Sequence, residues 1–290
     1  MKIAIIGAEG FLGRRLMTIL SKDHEVLGAG INGKEKIKNL DATDYLSVKK
    51  FLFDFKPSLV IDNVSLTSSL ACEKDPKLAE ELNYFSAKNI AKSCEEIGAK
   101  MVFFSSTYIF DGQKGDYTEK DTPSPLNEYG RTKVKAEKAV KEIEDYLIIR
   151  VDLMYGFNGQ DLPNGIFAKI LSNEQIVIRD LEQQRSPVYV DDVVKSIMTL
   201  AELNQRGIFH LTGGETISYF NLLKELEKAA RFKTKIISLA PNKELSIKVP
   251  KLATLDNSKI TKLGIKTNSL KDGIELLRKQ VKAANLFQSL

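Results

Sequence analysis

The stretch "KIAIIGAEGFLGRRL" (residues 2–16) is an apolar run that leads directly into three spaced glycines, Gly7, Gly10 and Gly13. The run is typical of a buried β-strand, and the segment after the glycines has helical periodicity. Glycine permits a tight strand-to-helix turn and lets backbone approach a pyrophosphate, to which the helix N-terminus offers N–H donors. The stretch therefore predicts a dinucleotide-binding loop. A tight turn in an α/β domain without nucleotide is the weaker interpretation.

Short apolar runs alternate with helix-period segments through the first half of the chain. Fully apolar strands separated by helices are typical of a parallel sheet covered on both faces. We predict an α/β fold, a doubly wound parallel Rossmann sheet with a smaller C-terminal substrate-binding lobe. Residues 1–156 form the predicted nucleotide-binding domain, and 157–290 form mainly the lobe, with segments that return to the sheet. Pro76 and Gly98 are placed to begin and end one helix.

The composition of the 290-residue chain indicates a globular protein, with 43% hydrophobic residues and a formal charge of +5. Basic residues are interspersed with acids, which argues against a nucleic-acid-binding arm. The N-terminal apolar run is too short for a signal peptide or a membrane span, so we expect a cytoplasmic protein without membrane association. The two cysteines, Cys72 and Cys94, lack metal-ligand or redox spacing, and we predict no metal site.

The end of the second predicted strand bears on the choice between NADH and NADPH, because an acid there would bind the adenosine ribose hydroxyls. The sequence "EVLGAGINGK" (25–34) has no acid after Leu27. Arg14 follows the last loop glycine and Lys34 lies just beyond the strand, so cations are available for a 2′-phosphate. The pattern favours NADPH, although each cation taken singly is equally consistent with a solvent-facing residue.

A tyrosine and a lysine one helical turn apart, Tyr129 and Lys133, lie in "EYGRTK" (128–133) at the start of a predicted helix. Reduction of a ketone leaves an oxyanion that needs a proton, and a phenol with a pKa of about 10 donates poorly unless its anion is stabilised. A lysine on the same helix face brings a stabilising charge. Ser106 ends a predicted strand at the carboxyl edge of the sheet, where its hydroxyl can bind a substrate carbonyl. Singly these residues are typical of capping or solvated positions, but together they predict carbonyl chemistry.

With these motifs the chain resembles the dTDP-4-dehydrorhamnose reductase family of the extended short-chain dehydrogenase/reductases, most specifically in the segment 105–138. The resemblance implies reduction of a 4-keto-6-deoxy sugar on a nucleoside diphosphate, with NADPH, or alternatively NADH, as donor. By position it implies that Ser106 is the catalytic hydroxyl, Tyr129 the proton donor and Lys133 its partner. It also implies cofactor contacts from the glycine loop, from a residue near adenine, from the strand end beside the nicotinamide half and from the catalytic pair: Gly7, Gly10, Phe11, Leu12, Gly13, Arg14, Asp41, Val64, Ser65, Thr67, Tyr129 and Lys133.

Departures from the family pattern concern the sugar side of the site. Thr107 stands where the family usually has aspartate, and Leu153 stands where it usually has tryptophan. Arg185 is a third candidate substrate residue, since it could contact a diphosphate, and loop capping is an equally good interpretation. The departures keep the hydride-transfer residues but leave the identity of the sugar and the nucleotide open.

The stretch "QQRSPVYVDD" (183–192) also resembles the regulatory beta subunit of methionine adenosyltransferase, a relative that binds NADP and acts through a partner protein. A cofactor-binding regulatory subunit is therefore one alternative function, and a sugar-nucleotide 4-epimerase is another. A 4,6-dehydratase is disfavoured, because Thr107 and Tyr108 replace its Asp-Glu pair. The resemblance allows a homodimer. We further predict that His210 is a packed strand residue and that the acidic pair at 191–192 begins a helix.

Overall fold

The computed structural model of the chain describes residues 1–34, 36–158, 166–172, 174, 176–178, 181–230, 236–238 and 247–284. Its strands are β1 (Lys2–Ile6), β2 (Glu25–Gly30), β3 (Ile37–Asn39), β4 (Leu59–Asp62), β5 (Lys100–Ser106), β6 (Tyr146–Val151), β7 (Met154–Tyr155), β8 (Ile176–Ile178), β9 (Gln184–Arg185), β10 (Val188–Tyr189), β11 (Gly207–Leu211), β12 (Ile217–Ser218), β13 (Ile236–Ser238) and β14 (Leu252–Ala253). Its α-helices are α1 (Phe11–Leu20), α2 (Tyr45–Phe55), α3 (Ser69–Lys74), α4 (Pro76–Glu80), α5 (Ser86–Ile97), α6 (Glu128–Val140), α7 (Ile166–Leu171), α8 (Val190–Glu202), α9 (Tyr219–Ala230), α10 (Ser258–Lys262) and α11 (Leu270–Ala283).

The central sheet has seven strands in the order β11-β6-β5-β4-β1-β2-β3, and every neighbouring pair is parallel. This confirms the predicted doubly wound α/β fold. The apolar strands β1, β4 and β5 are almost wholly buried, as expected for a sheet covered on both faces. The edge strand β3 was not predicted, because its sequence "IKN" is short and mostly exposed.

Helices pack on both faces of this sheet. One apolar core includes Leu16 of α1 and Ile197 of α8, and the opposite core includes Val48 of α2, Ile90 of α5 and Ala136 of α6. A third cluster joins α7, α9 and α11 beyond the sheet. The sheet edge at the carboxyl ends of β1, β4 and β5 therefore carries loops on a rigid base, which is where ligands of such folds bind.

Pro76 and Gly98 lie at helix ends as predicted, but the segment between them is divided into two α-helices, α4 and α5. The Asp75 side chain accepts from Leu78 N at 3.0 Å, with Pro76 in the first turn of α4. Gly98 ends α5 in the left-handed conformation, at φ +68°. Asp191 and Asp192 lie in the first turn of α8. A π-helical turn, Glu81–Phe85, joins α4 to α5 and carries a buried asparagine that is described below.

The sequence "YLIIRVDLMYG" (146–156) predicts one strand, and this prediction is wrong in its second half. β6 ends at Val151, and Met154–Tyr155 forms β7, which pairs with β10 in a separate two-stranded sheet. The interruption falls at Asp152, whose carboxylate accepts from Ser186 N at 2.7 Å and pairs with Arg185. The chain leaves the central sheet at this residue, which is bonded to a segment more than 30 residues later in the chain. In the part of the chain that the structure describes, no helix is both long and apolar enough to cross a membrane.

Candidate active site

The glycine loop between β1 and α1 is too crowded for side chains at two of its three glycines. Gly7 has φ +82°, and a Cβ there would lie 2.7 Å from the carbonyl carbon of Asn63. A Cβ on Gly13 would lie 2.3 Å from the carbonyl oxygen of Gly7. No side chain caps the first turn of α1, which begins after Gly10 without an acidic residue. The loop can therefore hold a dinucleotide pyrophosphate against the free amides of this helix.

A carboxylate from the glycine loop, that of Glu9, lies at the end of β2. Glu9 of the glycine loop accepts hydrogen bonds from Asn32 N and Gly33 N at 3.1 and 3.0 Å, and from the Asn32 side chain at 3.0 Å. The sequence of 25–34 gave no sign of an acid here, because the group arrives from 23 residues earlier in the chain. Arg14 donates from Nε to the Glu9 carbonyl at 3.1 Å, and Lys34 is exposed.

The remaining predicted cofactor residues lie around the same sheet edge. Asp41 follows β3, and its carboxylate accepts from Thr43 N and Oγ1 at 2.9 and 2.7 Å, which fixes the loop before α2. Val64, Ser65 and Thr67 follow β4. Their segment is joined to the glycine loop by Asn63, whose amide donates to the Gly7 carbonyl at 3.1 Å. Phe11 and Leu12 are the first two residues of α1, and the side chain of Leu12 is buried in the core between α1 and the sheet.

Ser106 and Tyr129 come together at the end of β5 because α6 approaches that strand closely. Tyr129 is the second residue of α6, whose N-cap is Asn127, with Oδ1 accepting from Gly130 N at 3.0 Å. A Cβ on Gly130 would lie 2.1 Å from the Tyr108 carbonyl oxygen, so only glycine lets the helix start this near to the turn that follows β5. Ser106 Oγ accepts from Tyr108 N at 3.2 Å, which orients its hydroxyl at the strand end.

Burial dominates the acidity of the Tyr129 phenol. It raises the pKa of Tyr129 to about 12, and the nearby hydroxyls of Ser106 and Ser65 act in the opposite direction by hydrogen bonding. The phenol is therefore protonated at neutral pH and can serve as an acid. Its proton transfer requires that the resulting anion be stabilised by other groups.

Lys133 lies one turn further along the buried face of α6. Its Nζ donates to the Phe104 carbonyl at 2.9 Å and lies 4.7 Å from the centre of the Phe103 ring. Burial lowers the pKa of Lys133 to about 8, while the carboxylates of Asp62 and Glu137 act to raise it. Asp62 ends β4 and is itself buried, and burial raises its pKa to about 6. Sequence reasoning missed Asp62, because it reads as an ordinary strand end.

Asn83 is a second residue that the sequence did not reveal. Its Oδ1 accepts from Leu66 N at 2.7 Å and from Ser65 Oγ at 3.0 Å, and its Nδ2 donates to Thr132 Oγ1 at 3.0 Å. The side chain thus connects the loop after β4 to the helix that carries Tyr129. Asn83 lies in the π-helical turn, and such turns are frequent at functional sites.

On the other side of Ser106, the three candidate substrate residues have different surroundings. Thr107 is buried, and its hydroxyl donates to Asp152 Oδ1 at 3.0 Å. Arg185 forms an ion pair with Asp152 at 2.7 Å, and its guanidinium lies 5.6 Å from the rings of both Tyr108 and Tyr219. Leu153 packs at the margin of the third apolar cluster. The structure thus brings Thr107 and Arg185 together through one buried carboxylate.

His210 is a packed strand residue, as predicted. Its ring lies in the core, where Nδ1 is 2.9 Å from the Tyr117 carbonyl oxygen and Nε2 is 3.4 Å from Arg150. Burial lowers the pKa of His210 to about 4, so the ring is neutral, donates from Nδ1 and accepts at Nε2. Arg150 in turn forms a two-point ion pair with Glu137. Among the described residues, no group of three or more His, Cys, Asp or Glu side chains is arranged to hold a metal ion.

Comparison with known proteins finds one family model over most of the chain. Residues 1–283 match the family described as RmlD substrate binding domain. Methionine adenosyltransferase 2 subunit beta from Rattus norvegicus is 30% identical over 276 residues, which cover 91% of this chain and 83% of that protein.

Solved structures resemble the chain over nearly its full length. The crystal structure of dTDP-4-dehydrorhamnose reductase from Bacillus anthracis, in complex with NADP, has a TM-score of 0.82 and 25% identity, covering 95% of this chain and 98% of that one. The dTDP-4-dehydrorhamnose reductase ortholog from Clostridium acetobutylicum has a TM-score of 0.82 and 27% identity, covering 98% of this chain and 100% of that one. Both predicted resemblances are confirmed.

Proposed function

The chain belongs to the RmlD substrate binding domain family, and from this premise we propose that it is an NADPH-dependent reductase of a nucleotide-activated 4-keto-6-deoxy sugar. NADH is the alternative donor. The observation that carries the proposal is that Ser106 and Tyr129 meet at the end of β5, while the buried Lys133 lies one turn further along α6, with its Nζ on the carbonyl of Phe104 in the same strand. The glycine loop that fits a dinucleotide lies at the same edge of the sheet.

The residues of the site support a ketone reduction with a balanced transfer of hydride and proton. When bound, the reduced nicotinamide supplies a hydride to the carbonyl carbon of the sugar. The Ser106 hydroxyl donates a hydrogen bond to the carbonyl oxygen and holds it near the phenol. Tyr129 then donates its proton to that oxygen, so that a ketone, a hydride and a proton together give an alcohol.

The proposed role of Lys133 is to stabilise the anion that Tyr129 forms when its phenol, whose pKa is raised, gives up a proton. A tyrosinate in this buried position would be costly without a nearby positive charge. Lys133 is held in the protein interior by the Phe104 carbonyl, and it is charged below a pH of about 8. Its ammonium group lowers the energy of the tyrosinate and therefore of the transition state that leads to it.

The proposal is tested by measuring oxidation of NADPH by the purified chain with dTDP-4-keto-6-deoxyglucose and with other nucleotide-activated ketosugars. We expect turnover that requires both substrates and yields the corresponding hydroxy sugar. The absence of turnover with every ketosugar, in a preparation that binds NADPH, would contradict the proposal.

The 30% identity to methionine adenosyltransferase 2 subunit beta favours a second candidate function, that of a cofactor-binding regulatory subunit. The buried ionisable site does not by itself distinguish the two, since a regulatory relative can keep these residues. A stable complex with a methionine adenosyltransferase catalytic subunit in size-exclusion chromatography, together with a change in that subunit's kinetics, would support it.

A further inference from the structure

The carboxylate of Glu9 is fixed at the carboxyl end of β2. Oε1 accepts from the backbone amides of Asn32 and Gly33, and Oε2 accepts from the Asn32 side chain. The residue is half-buried, and three hydrogen bonds of 3.0 to 3.1 Å determine its orientation.

Two glycines of the β2 region make room for this arrangement. A Cβ on Gly30, the last residue of β2, would lie 2.8 Å from Glu9 Cδ, so that the absence of a side chain there admits the carboxylate. Gly33 has φ +59°, a left-handed conformation that turns its amide toward Glu9 and that other residues adopt at a cost. The sequence of β2 and the following turn is therefore matched to an acid at position 9.

In a dinucleotide-binding sheet, the end of the second strand receives the adenosine ribose. An acid at this point binds the 2′-hydroxyl of NADH, whereas the 2′-phosphate of NADPH calls for cations. Glu9 is an acid at this place, although it belongs to the glycine loop and not to β2. Of the two cations that favour NADPH, Arg14 donates to the Glu9 backbone carbonyl at 3.1 Å, and Lys34 follows Gly33 in the same turn.

We propose that Glu9 is a cofactor-specificity residue, whose carboxylate disfavours the 2′-phosphate of NADPH and thereby keeps NADH a competitive hydride donor. This inference rests on the nicotinamide cofactor of the proposed function. It assigns to Glu9 a role in the choice between two donors and none in the transfer of hydride or proton.

Two physical effects act against the 2′-phosphate. A phosphate monoester carries a charge between about −1.5 and −2 at neutral pH, which the Glu9 carboxylate repels. The amides of Asn32 and Gly33 are also occupied by Glu9, so they are not available as donors to phosphate oxygens. A free 2′-hydroxyl carries no charge and can itself donate to a carboxylate oxygen.

The test is the affinity of the full chain for NADH and for NADPH, measured separately by the fluorescence of the reduced nicotinamide, in wild type and in Glu9→Gln. The substitution keeps the size of the side chain and removes its charge. We expect the ratio of the two dissociation constants to shift toward NADPH by about tenfold. Glu9→Asp keeps the charge and should leave the ratio within about threefold of wild type.

Glu25→Gln is the matched control, because Glu25 is an exposed acid at the opposite end of β2. It changes the net charge equally and should leave the ratio unchanged. An equal loss of both affinities in Glu9→Gln would show that Glu9 only holds the turn, and it would overturn the inference, as would an unchanged ratio. Because the readout is binding alone, cofactor binding without ketosugar turnover would overturn the proposed function and leave this inference standing. Failure of wild type to bind either cofactor would overturn both.

Discussion

Two buried clusters of polar side chains lie on either side of the end of β5, and they differ in how their charges are balanced. The cluster that contains the proposed catalytic residues, called the catalytic cluster below, consists of Ser106, Tyr129, Lys133 and Asp62. The Asp152 cluster consists of Thr107, Asp152 and Arg185. The chain passes from one cluster to the other between residues 106 and 107. In the Asp152 cluster, Arg185 Nη2 lies 2.7 Å from Asp152 Oδ1, so the two charges form a direct ion pair. The Asp152 carboxylate also accepts hydrogen bonds from the Thr107 hydroxyl and from Ser186 N.

The catalytic cluster lacks such direct pairing. The Lys133 ammonium bonds to a backbone carbonyl, and Asp62 Oδ2 has no hydrogen-bond partner among the described residues. Nearby opposite charges do not fully offset the effect of burial. The pKa of Lys133 therefore falls to about 8, and that of Asp62 rises to about 6. The Asp152 cluster therefore holds its charges in a direct ion pair, whereas the proposed catalytic residues include two ionisable groups whose pKa values are shifted toward neutral pH.

The largest effect is expected from Tyr129→Phe in the catalytic cluster. The substitution removes the proposed proton donor and keeps the ring, so kcat for ketosugar reduction should fall by about 10² to 10⁴. The free energy of unfolding should change by less than about 1.5 kcal/mol, since one hydroxyl is lost. Steady-state kinetics and urea denaturation measure the two quantities. Tyr146→Phe, at the opposite edge of the sheet, is the control. Unchanged kcat in Tyr129→Phe would remove Tyr129 from the mechanism.

The second effect is one of stability and concerns the Asp152 cluster. Arg185→Met leaves the fully buried Asp152 carboxylate without its counter-charge, which typically costs about 3 to 5 kcal/mol of unfolding free energy. Lys50→Met is the matched control, because it breaks an exposed ion pair with Asp54 that should be worth less than about 1 kcal/mol. Equal stability of the two variants in urea denaturation would contradict the distinction between the clusters.

Arg185→Met also tests whether Arg185 binds a substrate diphosphate. That role predicts a raised KM for the nucleotide sugar, measured under conditions in which the variant is folded.

The sequence predicts the parts of the site whose signals are local. A glycine loop, a strand ending in hydroxyl residues and a Tyr-Lys pair one helical turn apart each follow from spacing along the chain. The central sheet follows from the apolar runs. These patterns depend on residues that are neighbours in sequence, and they placed Ser106, Tyr129 and Lys133 correctly on β5 and α6.

The parts that the sequence did not predict depend on contacts between distant segments. Glu9 reaches the turn after β2 across 23 residues, and Arg185 meets Asp152 across 33. Asn83 connects two segments through a π-helical turn that has no simple sequence pattern. No periodicity encodes such pairs, because each depends on the three-dimensional path of the chain.

The smallest effect, and the sharpest test of the catalytic cluster, concerns the pH dependence of Asp62→Asn. In the proposed mechanism Lys133 must be charged, and because its pKa is lowered to about 8, activity should decline as the pH rises through about 8 and not near 10.5. The Asp62 carboxylate raises the pKa of Lys133, so its loss should move this decline to lower pH and reduce kcat on the alkaline side. The same shift affects stability. Because the pKa of Lys133 is lower in the folded than in the unfolded protein, the free energy of unfolding increases as the pH rises from the folded-state pKa to the unfolded-state pKa. In Asp62→Asn this increase should begin at lower pH. The pH profile of kcat and urea denaturation at several pH values measure both, with the exposed Asp54→Asn as control. Superimposable profiles for wild type and Asp62→Asn would mean that Asp62 does not act on Lys133.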